Sequence, residues 1–212
     1  MSTIRHLFWD FDGTLYNSYP TLLQSVRSGL EQLRIGHIVD DDGLMKLIKR
    51  SVYHASLWCA EQSGLDVQEI MASYRVFHNQ EREFPAYEGM ADCLRRLKEA
   101  GYHHYLYTHR DAVAIEQLKR DGLWELFEDA VISTDGFPLK PAPDALMALM
   151  ERNRLAPEEC AMVGDRDIDI EAGHNAGMAG FLFDPEGFYP GYPAELYVST
   201  LRELADELTA KS

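Results

Sequence analysis

Short apolar runs recur along the chain, and each has the length of a buried β-strand. The runs cover residues 7–9, 104–107, 130–132, 161–163 and 180–183. From the second run onward they alternate with segments in which apolar residues recur every three or four positions, as in an amphipathic helix. These segments include 91–100, 112–120 and 143–152. The alternation predicts an α/β fold: a Rossmann-like, doubly wound parallel sheet with helices on both faces.

The segment between the first and second predicted strands breaks this alternation. Its apolar residues fall on the faces of three predicted helices, within 22–33, 44–48 and 70–77. No strand pattern separates these helices. We therefore predict a small all-helical domain over residues 17–84, inserted into an α/β core that consists of residues 1–16 and 85–212.

The charge balance restricts the class of partner. The 212 residues include 35 Asp and Glu but only 20 Lys and Arg, so the formal net charge is −15. Proteins bind nucleic acids and anionic membrane surfaces through clustered Lys and Arg. Because acidic residues greatly outnumber basic ones here, we predict that the protein binds neither. A small anionic ligand is compatible with this charge, because a metal ion or a few local cations can hold it.

Cysteine spacing and the length of the apolar runs bear on the compartment. Cys59, Cys93 and Cys160 are far apart, so neither a disulfide framework nor a zinc site is predicted. No run approaches the roughly 18 apolar residues of a membrane span. The first run reaches Asp10 too soon to be a signal sequence. We therefore expect a cytoplasmic protein with reduced thiols.

Two aspartates directly follow the first predicted strand. Asp10 and Asp12 precede Gly13 and Thr14, and the carboxyl ends of parallel strands are where such sheets bind ligands. Because neighbouring carboxylates repel each other, a bound cation would stabilise the pair. The backbone N–H groups of Gly13 and Thr14 could receive an anion. The alternative interpretation is a surface turn rich in Asp and Gly.

Polar residues also follow two later strands. Asp165 and Asp169 come after the run 161–163, and acids from two strand ends can converge on one Mg²⁺ ion. Taken alone, they are also explained by a helix N-terminus enriched in Asp. Thr108 ends the run 104–107 and can donate to a phosphoryl oxygen, while Lys140 can balance its charge. Each of these residues taken alone could have a purely structural role. Their order along the chain is more informative than any single residue.

This order resembles the haloacid dehalogenase (HAD) superfamily. The matching motifs are Asp10-Phe11-Asp12-Gly13-Thr14, Thr108, Lys140-Pro141, Gly164-Asp165 with Asp169, and Gly173-His174-Asn175-Ala176-Gly177. The resemblance is closest to the phosphoglycolate-phosphatase-like branch, in which a helical cap is inserted between the first and second motifs. It implies that residues 17–84 are such a cap and that the α/β core is catalytic.

The resemblance also implies a mechanism. Asp10 is expected to be the nucleophile that becomes an aspartyl-phosphate, and Asp12 the general acid and base. Mg²⁺ is expected on the Asp10 side chain, the Asp12 carbonyl oxygen and Asp165. Asp169 is expected to orient these ligands or Lys140.

The expected substrate contacts include one departure from the family. The resemblance gives Thr108 and Lys140 a catalytic role, since they bind the phosphoryl group. The second motif usually has Asn after its Thr or Ser, but His109 and Arg110 follow here. Arg110 either grips a second anionic group of the substrate or stays on the surface. The full expected substrate-binding set is Gly13, Thr14, Thr108, His109, Arg110 and Lys140.

The leading functional hypothesis is a Mg²⁺-dependent phosphatase, a phosphoric monoester hydrolase that acts on a small phosphorylated metabolite. A phosphomutase of the β-phosphoglucomutase type would use the same aspartates and is the alternative. The haloacid dehalogenase reaction fits poorly, since it needs neither a metal nor an acid at position 12. A non-catalytic binding or regulatory protein is a third class, which the intact set of acids disfavours. A monomer and a homodimer both remain open.

Overall fold

The computed structural model describes residues 4–80 and 84–210. Its strands are β1 (His6–Trp9), β2 (His103–Tyr107), β3 (Phe127–Val131), β4 (Cys160–Gly164), β5 (Ala179–Phe183) and β6 (Leu196–Val198). Its helices are α1 (Tyr19–Gln32), α2 (Asp41–Arg50), α3 (Val52–Ser63), α4 (Val67–His78), α5 (Met90–Glu99), α6 (Val113–Arg120), α7 (Asp144–Asn153), α8 (Asp167–Asn175) and α9 (Leu201–Thr209). No helix in this part of the chain is both long enough and apolar enough to span a membrane.

The strands form one parallel sheet in the order β3-β2-β1-β4-β5-β6. The chain adds strands on one side of β1, then returns to add β4 on its other side, which is the winding of a doubly wound sheet. The predicted fold class is therefore confirmed. Phe8 of β1 pairs with Tyr105 and Met162 in the two neighbouring strands, so β1 is central and its apolar run is fully buried.

Two elements differ from the sequence-based prediction. β6 was not predicted, because three residues with one exposed side chain, Tyr197, leave too short a pattern to recognise. Helix α3 was not predicted either. Its apolar residues lie on all sides, including the exposed Tyr53 and Leu57, so the sequence has no single apolar face there.

The chain divides into two compact units. One consists of Met1–Tyr16 and Ala86–Ser212, and the other of Asn17–Pro85. Within the first unit, buried residues of β1, β2 and β4 pack against α7 and α8 in an apolar core. This core supports the strand ends on which the predicted site residues lie.

The second unit contains α1 to α4 and no strand among its described residues. These helices bury a continuous apolar core of their own, from Tyr19 to Tyr74. Helices α1 and α4 approach closely at Gly29, where a Cβ atom would come within 2.9 Å of the backbone nitrogen of Tyr74. The side chains of Asp40, Ser51 and Asp66 accept backbone N–H hydrogen bonds at the first turns of α2, α3 and α4.

Candidate active site

The predicted site residues lie at the carboxyl ends of three adjacent strands. Asp10 follows β1, Thr108 follows β2 and Asp165 follows β4. Strands β1 and β4 flank the point at which the winding direction of the sheet reverses, where doubly wound sheets bind ligands. The Asp10 N–H donates to Val163 O at 2.9 Å, which continues the β1–β4 pairing to the aspartate itself.

Three carboxylates converge at this point. Asp10, Asp165 and Asp169 are all buried, and each has an oxygen within 4.8 Å of one oxygen of the others. Asp169 lies in the first turn of α8, where its carboxylate accepts the Arg166 N–H at 3.1 Å. Its place depends on glycine, because a Cβ atom at Gly164 would overlap the Asp169 side chain.

Lys140 joins two of these carboxylates. Its Nζ lies 3.0 Å from Asp10 Oδ1 and 2.8 Å from Asp169 Oδ1, and it donates to the Tyr107 carbonyl oxygen at 3.0 Å. The ammonium group is fully buried and lies 4.5 Å from the centre of the Tyr107 ring. Tyr107, which sequence reasoning did not single out, therefore holds the lysine through both its carbonyl and its ring.

Burial and charge act against each other in this cluster. Burial raises the pKa of Asp10 well above its usual range, although Lys140 opposes the effect. For Asp169 burial acts in the same direction, but Lys140 and Arg166 outweigh it and hold its pKa below the usual range. Burial also acts to lower the pKa of Lys140, but the Asp10 and Asp169 carboxylates outweigh it and the net shift is upward. Lys140 is therefore charged.

The cluster fits a divalent cation. Asp10 Oδ1 accepts the Phe11 N–H at 2.8 Å, but Oδ2 is buried without a hydrogen-bond partner among the described residues. Arg166 Nη2, a residue that the sequence analysis left unassigned, lies 3.8 Å from this oxygen. An unsatisfied buried carboxylate oxygen beside two further aspartates is the donor set that Mg²⁺ prefers.

The Gly13-Thr14 turn lies beside this cluster. Gly13 has φ +77° and its N–H donates to Tyr16 O at 2.8 Å, so this N–H is used within the turn. The Thr14 hydroxyl lies 3.4 Å from Asp165 Oδ1 and donates to it weakly. Thr14 therefore contacts the predicted metal ligand through its side chain, a contact that the sequence analysis did not consider.

The Asp12 carboxylate is held by Arg110. Arg110 Nε lies 3.1 Å and 3.0 Å from the two Asp12 oxygens, and Nη2 lies 2.6 Å from Oδ1. Arg110 is only 8% exposed, so this pair is largely withdrawn from water. The Arg110 N–H also donates to Thr108 Oγ1 at 3.1 Å.

His109 contacts the backbone of Lys140. Its Nε2 accepts the Lys140 N–H at 2.9 Å, so this nitrogen carries no proton. Burial, together with Lys140 and Arg166, lowers the pKa of His109 to about 3. The imidazole is therefore neutral near pH 7 and supports the segment that carries Lys140.

The chain matches a known protein family over most of its length. Residues 7–182 match the family model described as haloacid dehalogenase-like hydrolase. Pyrophosphatase PpaX of Bacillus cereus strain G9842 is 30% identical over 177 residues, which cover 82% of this chain and 80% of that relative.

Solved structures agree with this match. A hydrolase from Streptococcus pneumoniae TIGR4 is 28% identical with a TM-score of 0.63, over 85% of this chain and 93% of that one. A structure described as a predicted phosphoglycolate phosphatase from Haemophilus somnus 129pt has a TM-score of 0.80 over 100% of both chains. Its identity is 22%, so this likeness concerns the fold alone.

Proposed function

Because the chain belongs to the haloacid dehalogenase-like hydrolase family and is a phosphatase, we propose that it hydrolyses a small phosphorylated metabolite through a phosphoryl group carried on Asp10. One observation carries the proposal. A buried aspartate at the reversal point of the sheet has an unsatisfied oxygen, Oδ2, and is flanked by a buried lysine and two further aspartates. A carboxylate in this setting is suited to attack the phosphorus of a phosphate ester, because the negatively charged oxygens of the ester are attracted to the neighbouring lysine and to a bound cation.

Mg²⁺ fits this donor set. In the proposal the Asp10 and Asp165 side chains and the Asp12 carbonyl oxygen hold the ion, and Asp169 orients Lys140. When bound, the ion would supply positive charge that offsets the repulsion between the carboxylates and the negatively charged phosphoryl group. That charge is needed, because the chain as a whole carries −15.

The reaction proceeds in two displacements. Asp10 forms a bond to phosphorus while the bond from phosphorus to the ester oxygen breaks, and Asp12 gives its proton to that leaving oxygen. Lys140 and the Thr108 hydroxyl bind the phosphoryl oxygens. A water molecule then forms a bond to phosphorus while the bond from phosphorus to Asp10 breaks, and Asp12 takes a proton from this water. Inorganic phosphate leaves, Asp10 is again a carboxylate and Asp12 is again a carboxylic acid.

The relatives bear on the substrate class. Pyrophosphatase PpaX, the 30%-identical relative, is named for pyrophosphate, a small substrate with more than one anionic group. We propose a substrate of this class, and we propose that the helical unit, predicted as residues 17–84, is the cap that selects it. A phosphomutase would use the same aspartates but return the phosphoryl group to the substrate instead of to water.

A turnover screen tests the proposal. Purified protein with Mg²⁺ is given 4-nitrophenyl phosphate, pyrophosphate, phosphoglycolate, sugar phosphates and nucleotides, and inorganic phosphate is measured. We expect phosphate release, its loss on chelation with EDTA and its return with excess Mg²⁺. Isomerised sugar phosphate without phosphate release would favour the mutase. No release from any substrate, or indifference to EDTA, would contradict the proposal.

A further inference from the structure

The contact between Arg110 and Asp12 joins residues 98 positions apart in the chain. Three N–H···O contacts of 2.6–3.1 Å link one edge of the guanidinium group to both carboxylate oxygens. This forked geometry fixes the carboxylate in direction as well as in position, which a lysine cannot do. It uses the Nε–Nη2 edge of Arg110, so in this structure that edge contacts Asp12.

Arg110 is itself held firmly. Its N–H donates to Thr108 Oγ1 at 3.1 Å, and its carbonyl oxygen accepts the Ser133 N–H at 3.0 Å. Its guanidinium carbon lies 5.8 Å from the centre of the Phe11 ring. The arginine is therefore anchored to β2 and to the segment after β3, whereas Asp12 lies on the turn after β1. Asp12 is also the more exposed partner, with 24% of its side chain accessible against 7% for the arginine.

Asp12 needs such support. It is absent from the group of converging carboxylates, which consists of Asp10, Asp165 and Asp169. An acid that serves a leaving group must be held within a few tenths of an ångström of the productive position, since small displacements are costly in rate. The Arg110 fork contacts both Asp12 oxygens.

We propose that Arg110 is a positioning residue that holds the Asp12 carboxylate for proton transfer, and that it acts through Asp12 and not by binding the substrate. The inference rests on the proposed function, in which Asp12 serves the leaving oxygen. The two possible roles of Arg110 differ in their dependence on Asp12. An arginine that binds the substrate would affect turnover whether or not Asp12 is present, whereas an arginine that positions Asp12 would not.

A double-mutant cycle distinguishes these roles. Arg110→Ala is made in the natural chain and in the Asp12→Asn chain, and kcat and KM are measured with 4-nitrophenyl phosphate and Mg²⁺. Nitrophenolate leaves readily, so the Asp12→Asn chain retains a measurable first step, which can be followed as a burst. In the natural chain we expect kcat to fall about 10–100-fold, because Asp12 takes the proton of the attacking water in the second displacement whatever the leaving group is, and we expect KM not to rise. In the Asp12→Asn chain we expect less than about a threefold further loss.

Rescue provides a second readout that a purely structural role would not move. Millimolar guanidinium ion is expected to restore part of the kcat of Arg110→Ala but to have no effect on the double variant. Arg110→Gln keeps a planar donor and serves if the alanine variant does not fold. Arg202→Ala is the matched control, because Arg202 is exposed on α9 with 84% of its side chain accessible. Thermal unfolding and Mg²⁺ binding, measured for every variant, report folding.

The outcomes are separable. Equal losses in the two backgrounds, or a raised KM with unchanged kcat, would overturn the inference and assign Arg110 to substrate binding. Failure of guanidinium to rescue a folded Arg110→Ala would also overturn it. A natural chain without turnover, or an Asp12→Asn chain as active as the natural one, would instead defeat the proposed function, and the inference with it.

Discussion

Two consecutive residues at the end of β1 lead to two different buried polar clusters. Trp9 Nε1 donates to His104 Nδ1 at 3.0 Å, and His104 Nε2 donates to Leu94 O at 2.9 Å, so both ring nitrogens are used. Asp10, the next residue, has a buried oxygen without a partner among the described residues. The Trp9 cluster satisfies its own hydrogen-bonding groups, whereas the Asp10 cluster leaves a carboxylate oxygen that a ligand could satisfy.

The two clusters therefore have different expected roles, one in stability and the other in ligand binding. A fully satisfied buried network specifies the fold, whereas an unsatisfied one costs free energy that a ligand can recover. The pKa values differ accordingly. Burial lowers the pKa of His104 to about 4, which keeps the ring in the neutral form that its hydrogen bonds require. Burial raises the pKa of Asp10, so the fold disfavours the ionised form of Asp10 that the proposed mechanism requires.

The largest effect is expected from Asp10→Asn. Removing the proposed nucleophile should lower kcat by about 10³-fold or more. The same substitution should raise the free energy of unfolding of the metal-free protein by about 1–3 kcal/mol at pH 7. The sign follows from the pKa, because a carboxyl whose pKa is raised on folding lowers stability as the pH rises from its unfolded pKa to its folded pKa, and the loss is complete above the folded pKa.

Urea unfolding in EDTA measures this stability, and the matched substitution is Asp206→Asn. Asp206 is a half-exposed surface carboxylate paired with Arg96, so its loss should change stability by less than about 1 kcal/mol. A destabilised Asp10→Asn protein would contradict this prediction, because it would show that Asp10 stabilises the fold, as His104 does.

Lys140→Met should give the largest effect on stability. It removes the buried cation that contacts Asp10 and Asp169, and breaking such a pair typically costs about 3–5 kcal/mol. Most of this loss is the cost of unpaired carboxylates, so it should be smaller in the Asp10→Asn chain. Urea unfolding of the two single variants and the double variant, all in EDTA, measures the difference. Additive losses would contradict the coupling.

The smallest effect concerns His104 and pH. Its pKa is about 4 in the folded protein and 6.5 when unfolded, so the unfolded chain binds more protons between these values. Stability should therefore fall as the pH drops from about 6.5 to about 4, with a contribution of at most about 1.4 kcal/mol per pH unit from this residue. His109 adds a similar slope, because its pKa is also lowered.

His104→Leu isolates the His104 part, since His109 is kept. The variant should be less stable at pH 7 by about 1–3 kcal/mol, because Trp9 Nε1 loses its acceptor. Its deficit relative to the natural chain should shrink as the pH falls from 6.5 to 4. Parallel stability curves for the two proteins over this range, from denaturant unfolding at each pH, would contradict the assignment.

Much of the sheet and the position of the site could be predicted from the sequence, for a physical reason. Apolar runs mark parallel strands that are buried on both faces, and the acids stand where those runs end, so Asp10, Thr108 and Asp165 could be placed at strand ends. The contact between Asp12 and Arg110 could not be predicted, because no local sequence pattern connects positions 12 and 110. His104 could not be recognised as a network residue either, since its two partners, Trp9 and Leu94, become neighbours only when the sheet forms.

The central claim is that Asp10 carries the phosphoryl group, and trapping this intermediate tests it most directly. Protein with Mg²⁺ is mixed with a phosphate ester labelled in the phosphoryl group, quenched in acid within one turnover and digested. We predict label on the peptide that contains Asp10, more of it in Asp12→Asn because the intermediate then breaks down slowly, and none in Asp10→Asn. Label on another residue, or label that persists in Asp10→Asn, would contradict the account.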